Sequence, residues 1–181
     1  MHADALVFFG ASGDLARKQI FPALYALAKR GALTVPVVGV AHSGWNLDQL
    51  RQHAKQSLDE HGGIDDRAAA NRLLALLRYV DGDYADAGTF VALKAALAEV
   101  SHPAHYLAIP PSLFATVVRG LGRVGLAEGA RVIIEKPFGR DLKSARQLNR
   151  VVTSVFPEEA IFRIDHFLGK EAVENILYLL A

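Results

Sequence analysis

The sequence contains no cysteine. That absence excludes a disulfide framework, a thiolate metal site and a cysteine nucleophile, and it suits a reducing compartment, so a cytoplasmic setting is expected. Net charge is nearly absent as well. Twenty lysines and arginines stand against 19 aspartates and glutamates, a formal +1 at pH 7, which leaves no strong field for nucleic acid or an anionic membrane. The apolar stretch "NILYLLA" at the end is far below the roughly 20 residues that span a bilayer and reads as part of an amphipathic helix. The start, Met-His-Ala-Asp before a short apolar run, lacks the positive region and apolar length of a signal peptide. With no internal repeat or low-complexity tract, 181 residues fit one domain over 1–181 whose partner is a small molecule.

What is present alternates. Apolar runs rich in β-branched or aromatic residues at Ala5 to Phe9, Val35 to Ala41, His105 to Ile109, Arg131 to Glu135 and Ala160 to Ile164 predict strands. Between them helical patterns run over Asp14 to Arg30, Leu47 to His61, Asp66 to Leu77, Thr89 to Val100, Pro111 to Val124 and Leu142 to Val155, with another beginning near Gly169. The stretches "ALVFF", "VPVVGVA" and "RVIIE" are continuously rather than alternately hydrophobic, which predicts burial on both faces of a parallel sheet: a doubly wound α/β fold with helices on both faces. Pro22 falls inside the first helical pattern and should kink or restart it.

The chemistry concentrates in three places. The first is "VFFGASGDLARKQ", where a buried strand enters Gly10-Ala11-Ser12-Gly13-Asp14-Leu15-Ala16. This is G-x-x-G-x-x-A rather than G-x-G-x-x-G, but the context of strand, glycine turn and helix start is that of a pyrophosphate cradle. It is also the spelling of a plain tight turn. It is neither a P-loop, which needs G-K-[ST], nor a nucleophile elbow, because Asp14 occupies the last glycine's place. In a dinucleotide fold the end of the second strand chooses between a ribose hydroxyl, held by an acid, and a ribose phosphate, held by a base. Here "VGVAHSGW" offers His42 and no acid, which leans towards NADP with a titratable partner; His42 also reads as an ordinary loop histidine.

The second place is "IIEKPFGRD", with Glu135-Lys136-Pro137 at a strand's carboxyl end, where Lys136 could meet substrate and cofactor together or simply be an exposed turn lysine. The third is "FRIDHFLGKE", which gathers Arg163, Asp165, His166, Lys170 and Glu171 after the last strand. Its cations suit an anionic, phosphorylated substrate, and ion pairing at a strand end is the plainer alternative. Asp165 beside His166 has no second ligand cluster or nucleophile nearby in sequence, so neither a metal site nor a triad is expected.

Taken together, "GASGDLA", "EKPFG" and "RIDHFLGKE", in this order, closely resemble the glucose-6-phosphate dehydrogenase family from Ala5 onwards. The resemblance implies a Rossmann-type coenzyme domain that binds NADP, or in some members NAD, and takes part in oxidising glucose 6-phosphate to its lactone in the pentose phosphate pathway. It implies that Gly10, Ser12, Gly13, Asp14 and Leu15 line the coenzyme and that His42 stands where many members carry arginine for the 2′-phosphate. By the same resemblance Pro110 walls the nicotinamide, Lys136 touches sugar and nicotinamide, His166 and Lys170 hold the sugar phosphate, and Asp165 orients the catalytic base.

Three departures accompany these matches. Gln19 stands where family members usually carry lysine, and Phe167 replaces the more usual tyrosine. Family members also continue into a second, sheet-rich domain that supplies the general-base histidine, and none of the seven histidines here matches it. The expectation is a domain that binds coenzyme, turns over little by itself and can self-associate into a homo-oligomer. A glucose-fructose oxidoreductase-type enzyme also pairs such a domain with Glu-Lys-Pro but lacks "RIDHFLGKE", and a non-catalytic dinucleotide-binding module is the alternative from another class.

Overall fold

A computed structural model describes residues 2–164. Six strands form one parallel sheet: β1 (Ala5–Phe9), β2 (Val37–Ala41), β3 (Leu77–Asp81), β4 (Pro103–Leu107), β5 (Arg131–Glu135) and β6 (Ile161–Ile164), in the order β3-β2-β1-β4-β5-β6. This is the doubly wound order in which the chain reverses direction across the sheet between β1 and β4. Burial follows position. Every residue of β1, β2 and β4 is buried, whereas the edge strands β3 and β6 are each partly exposed.

The side chains of β1 alternate between two cores. Leu6 and Phe8 pack with Phe21, Leu24, Leu50 and Leu73, while Ala5, Val7 and Phe9 pack with Phe90, Leu93, Val117, Leu121 and Val152. The first core is covered by α1 (Phe21–Lys29), α2 (Leu47–Glu60) and α3 (Arg67–Leu76), the second by α4 (Ala87–Ala96), α5 (Phe114–Arg123) and α6 (Leu142–Thr153). Phe8, Phe9, Phe21, Phe90, Phe114 and Phe156 are all essentially inaccessible to solvent, and truncating any one of them to alanine is expected to cost about 3–5 kcal/mol.

Most boundaries fall within a few residues of the sequence expectation, and three differences have clear causes. The strand expected over His105 to Ile109 begins at Pro103 and ends at Leu107; proline is tolerated as a strand's first residue. The strand β3 is unforeseen because it follows the apolar end of α3 without a glycine or proline, so "LLALLRYVD" continues a helical pattern. Third, the helix expected over Asp14 to Arg30 contains a π-helical turn, Ala16–Ile20, before α1. Here the Phe21 amide donates to the Ala16 carbonyl, five residues back. Pro22 has no amide to continue the pattern. The Arg17 carbonyl so released accepts instead from the buried hydroxyl of Ser57 on α2. Pro22 thus restarts the helix, as its position predicts.

Candidate functional site

In a parallel sheet all carboxyl ends lie on one edge. Gly10 follows β1, His42 follows β2, Pro110 lies just beyond β4 and Lys136 follows β5. The expected site residues Asp165, His166 and Lys170, with Phe167, lie outside the described residues.

The glycine turn is closed by the Gly13 amide donating to the Gly10 carbonyl at 2.9 Å, and helical backbone begins at Asp14. Gly10 has φ +89°, and a Cβ there would lie 2.2 Å from the Ala108 carbonyl oxygen. Only glycine lets the loops after β1 and β4 approach this closely. The Gly10 amide is shared between the Val40 carbonyl and the Tyr84 hydroxyl, each at 2.9 Å, and the same hydroxyl lies 3.1 Å from that carbonyl. Tyr84, which sequence reasoning missed, therefore pins the start of the turn.

Helix starts divide into two groups. Asn46, Asp66, Asp86 and Asp141 cap α2, α3, α4 and α6 with their side chains. The helix after β1 begins behind Gly13, which has no side chain, and α5 after β4 starts without a side-chain cap. Leaving aside the short 3-10 turns, the two starts without side-chain caps among the described residues flank the β1/β4 reversal, where amide groups at a helix N-terminus favour an anion. Gly13 and Asp14 are exposed there, and Ser12 and Leu15 half-buried. The carboxylate of Asp14 is drawn to Lys18 at 3.0 Å, whose hydrogen bond lowers its pKa. Lys18 is thus engaged and Gln19 is exposed, while Arg17 is bound by Glu60, Nε to Oε2 at 2.9 Å. These glycines and this helix start fit the bridging phosphates of a dinucleotide.

The corner after β2 is built differently. His42 is exposed, with Nδ1 4.0 Å from Asp83 Oδ2. The amides of Ser43 and Gly44 donate to Asp81 Oδ1 at 3.0 and 2.9 Å, and the Tyr79 hydroxyl lies 2.8 Å from the same oxygen and 2.6 Å from Ser43 Oγ. Partial burial opposes ionisation of Asp81, but these donors outweigh it and lower its pKa; burial, reinforced by Asp81, pushes Tyr79 up to about 12. The expectation that no acid stands near His42 is therefore corrected: two acids reach this corner from β3 and the loop after it.

On the other side of the reversal, Pro110 is exposed and its carbonyl accepts from the Leu113 amide at 2.9 Å. Beyond β5 the Lys136 amide donates to the Ile164 carbonyl at 3.4 Å, the Lys136 side chain is exposed and the Lys136–Pro137 bond is cis. Glu135 is buried and accepts a hydrogen bond from the Tyr106 hydroxyl, whose pKa is raised by burial first and by the neighbouring carboxylate next. This ties the end of β5 to β4. Arg163 on β6 is paired with Glu158 at 2.7 Å and with Asn149, so the plainer ion-pairing alternative holds for that residue. Among the described residues no group of acids and histidines is arranged to hold a metal ion, and no helix is long and apolar enough to cross a membrane.

Residues 7–175 match the family described as glucose-6-phosphate dehydrogenase, NAD binding domain. The chain is 44% identical over 177 residues to glucose-6-phosphate 1-dehydrogenase 1 of Mycobacterium tuberculosis, covering 98% of this chain and 38% of that protein. The Kluyveromyces lactis glucose-6-phosphate 1-dehydrogenase is 39% identical over 186 residues, covering 96% of this chain and 37% of that one. Among solved structures, the Mycobacterium avium glucose-6-phosphate 1-dehydrogenase superposes with a TM-score of 0.89 at 45% identity, covering 99% of this chain and 39% of that one. A glucose-6-phosphate dehydrogenase in complex with its substrate glucose-6-phosphate gives 0.85 at 38% identity, covering 97% of this chain and 40% of that one. The chain thus spans about two fifths of the relatives it matches.

Proposed function

Because the chain belongs to the glucose-6-phosphate dehydrogenase NAD-binding-domain family, we propose that it is the coenzyme-binding part of an oxidoreductase that converts glucose 6-phosphate to 6-phosphogluconolactone, with NADP, or alternatively NAD, as its nicotinamide coenzyme. The observation that carries this is the glycine turn, held without a side-chain cap, at the β1/β4 reversal. The bound nicotinamide would supply the hydride acceptor.

In this reading the backbone of Gly10, Ser12, Gly13, Asp14 and Leu15 holds the bridging phosphates and His42 faces the ribose 2′ position. Pro110 walls the nicotinamide end, and Lys136 contacts both coenzyme and sugar. Asp165 orients the base, and His166 and Lys170 hold the sugar phosphate. A cytoplasmic location and self-association belong to the same proposal. The lactone-forming step needs a base to take the C1 hydroxyl proton, and the family places that histidine in its second domain. These 181 residues alone are therefore expected to bind coenzyme and turn over little.

The test is a calorimetric titration of the chain with NADP and with NAD, followed by an assay for reduced coenzyme after adding glucose 6-phosphate. Binding without steady turnover supports the proposal. Failure of both coenzymes to bind folded chain at millimolar concentration overturns it, and steady NADPH production overturns the inactivity of the part alone.

A further inference from the structure

We infer that Asp83, set opposite His42, is a specificity-determining residue for the coenzyme's adenosine ribose, favouring a bare 2′-hydroxyl over a 2′-phosphate. This rests on the coenzyme reading above. In dinucleotide folds an acid at the end of the second strand hydrogen-bonds the ribose hydroxyls and repels a 2′-phosphate. Here β2 ends at Ala41 and carries no acid of its own. The carboxylates arrive from the neighbouring strand instead: Asp83 lies 4.0 Å from His42, and Asp81 holds the Ser43 and Gly44 amides.

Among the described residues, the charged and titratable groups facing this corner are His42 on the β2 loop, Tyr79 and Asp81 on β3, and Asp83 and Tyr84 on the loop after it. Asp81 is held through Oδ1 by the Ser43 and Gly44 amides and the Tyr79 hydroxyl, and Tyr79 stays neutral well above physiological pH. Asp83 accepts from the Ala85 amide through Oδ1 at 2.8 Å, which leaves Oδ2 towards His42. A 2′-phosphate in this corner faces the Asp83 carboxylate, whereas a ribose diol can donate to it. Asp83 therefore weakens NADP binding and does not weaken NAD binding.

The test measures the NADP-to-NAD ratio of dissociation constants of the 181-residue chain at pH 8, above the second ionisation of a phosphate monoester near pH 6. In Asp83→Asn, which retains an oxygen for the Ala85 amide, NADP should bind roughly five- to tenfold tighter at pH 8 while NAD does not gain, the scale of one exposed charge at about 4 Å. A ratio moved less than twofold by Asp83→Asn overturns the inference and leaves the coenzyme reading intact. Loss of binding of both coenzymes by the unsubstituted chain overturns that reading and this one with it.

Discussion

The ends of β1 and β2 face the same edge of the sheet, yet they are made of different materials. After β1 the geometry is backbone: Gly10 is pressed against the Ala108 carbonyl, and its amide is held by Val40 and Tyr84. After β2 the geometry is side chain, with exposed His42, Asp81 and Asp83. Gly44 in that corner also has a positive φ, +68°, but nothing lies within 4 Å of where its Cβ would be. A backbone site tolerates almost no change in sequence, whereas a charge-built corner can be retuned one residue at a time without loss of the fold.

The sharpest way to break that contrast is to add one methyl group to each end. Gly10→Ala combines a left-handed backbone with a Cβ placed 2.2 Å from a carbonyl oxygen and is expected to cost about 3 kcal/mol or more. Gly44→Ala meets only the conformational penalty, about 1–2 kcal/mol. Urea unfolding of the two variants measures both, and equal costs would mean that the turn is not held by the approach of the β4 loop.

The second prediction tests the rigid core beneath the cradle. His105 on β4 is fully buried, its Nε2 donates to the Leu126 carbonyl at 2.8 Å and its Nδ1 has no partner among the described residues. Burial holds its pKa at about 4, against the small opposing effect of that carbonyl. The unfolded chain therefore takes up a proton near the ordinary value of about 6.5 while the folded one does not, so stability is intact above that pH and falls as pH drops towards 4. The full loss is about 3 kcal/mol. It is read as the part of the pH dependence that disappears in His105→Gln, and an unchanged slope would show that the imidazole is hydrated.

A third and smaller effect belongs to Tyr84→Phe, which takes the hydroxyl from the Gly10 amide and the Val40 carbonyl. About 1 kcal/mol of stability should go, with a few-fold weaker coenzyme binding. Unchanged coenzyme binding would mean that the turn keeps its shape without Tyr84.

These two ends also differ in how far the sequence reveals them. The β1 end is local: a buried strand, two glycines three residues apart and a helix start stand within ten residues of each other, and a reader needs nothing else. The five strands expected from apolar runs were visible for the same reason. The strand β3 was hidden because it sits at the sheet edge with exposed Arg78 and Asp81 and joins a leucine-rich helix end without a turn residue. Missing it also hid Asp81 and Asp83, so His42 looked unopposed. Tyr84 escaped because its contact with Gly10 spans 74 residues. What failed to show was whatever depended on which strand lies beside which.

The finest test of that lesson is Asp81→Asn. The amide oxygen can still accept from Ser43 and Gly44, which lie at the solvent edge, so stability should change by less than about 1 kcal/mol. The informative readout is Tyr79, whose pKa is pushed up to about 12 by burial first and by the Asp81 carboxylate in addition. Removing that charge should lower it while burial keeps it above the ordinary tyrosine value, a shift visible by NMR of ring-labelled tyrosine against the other four tyrosines. If Tyr79 titrates as before, Asp81 does not face it, and the β3 end cannot be what sets the charge of the β2 corner.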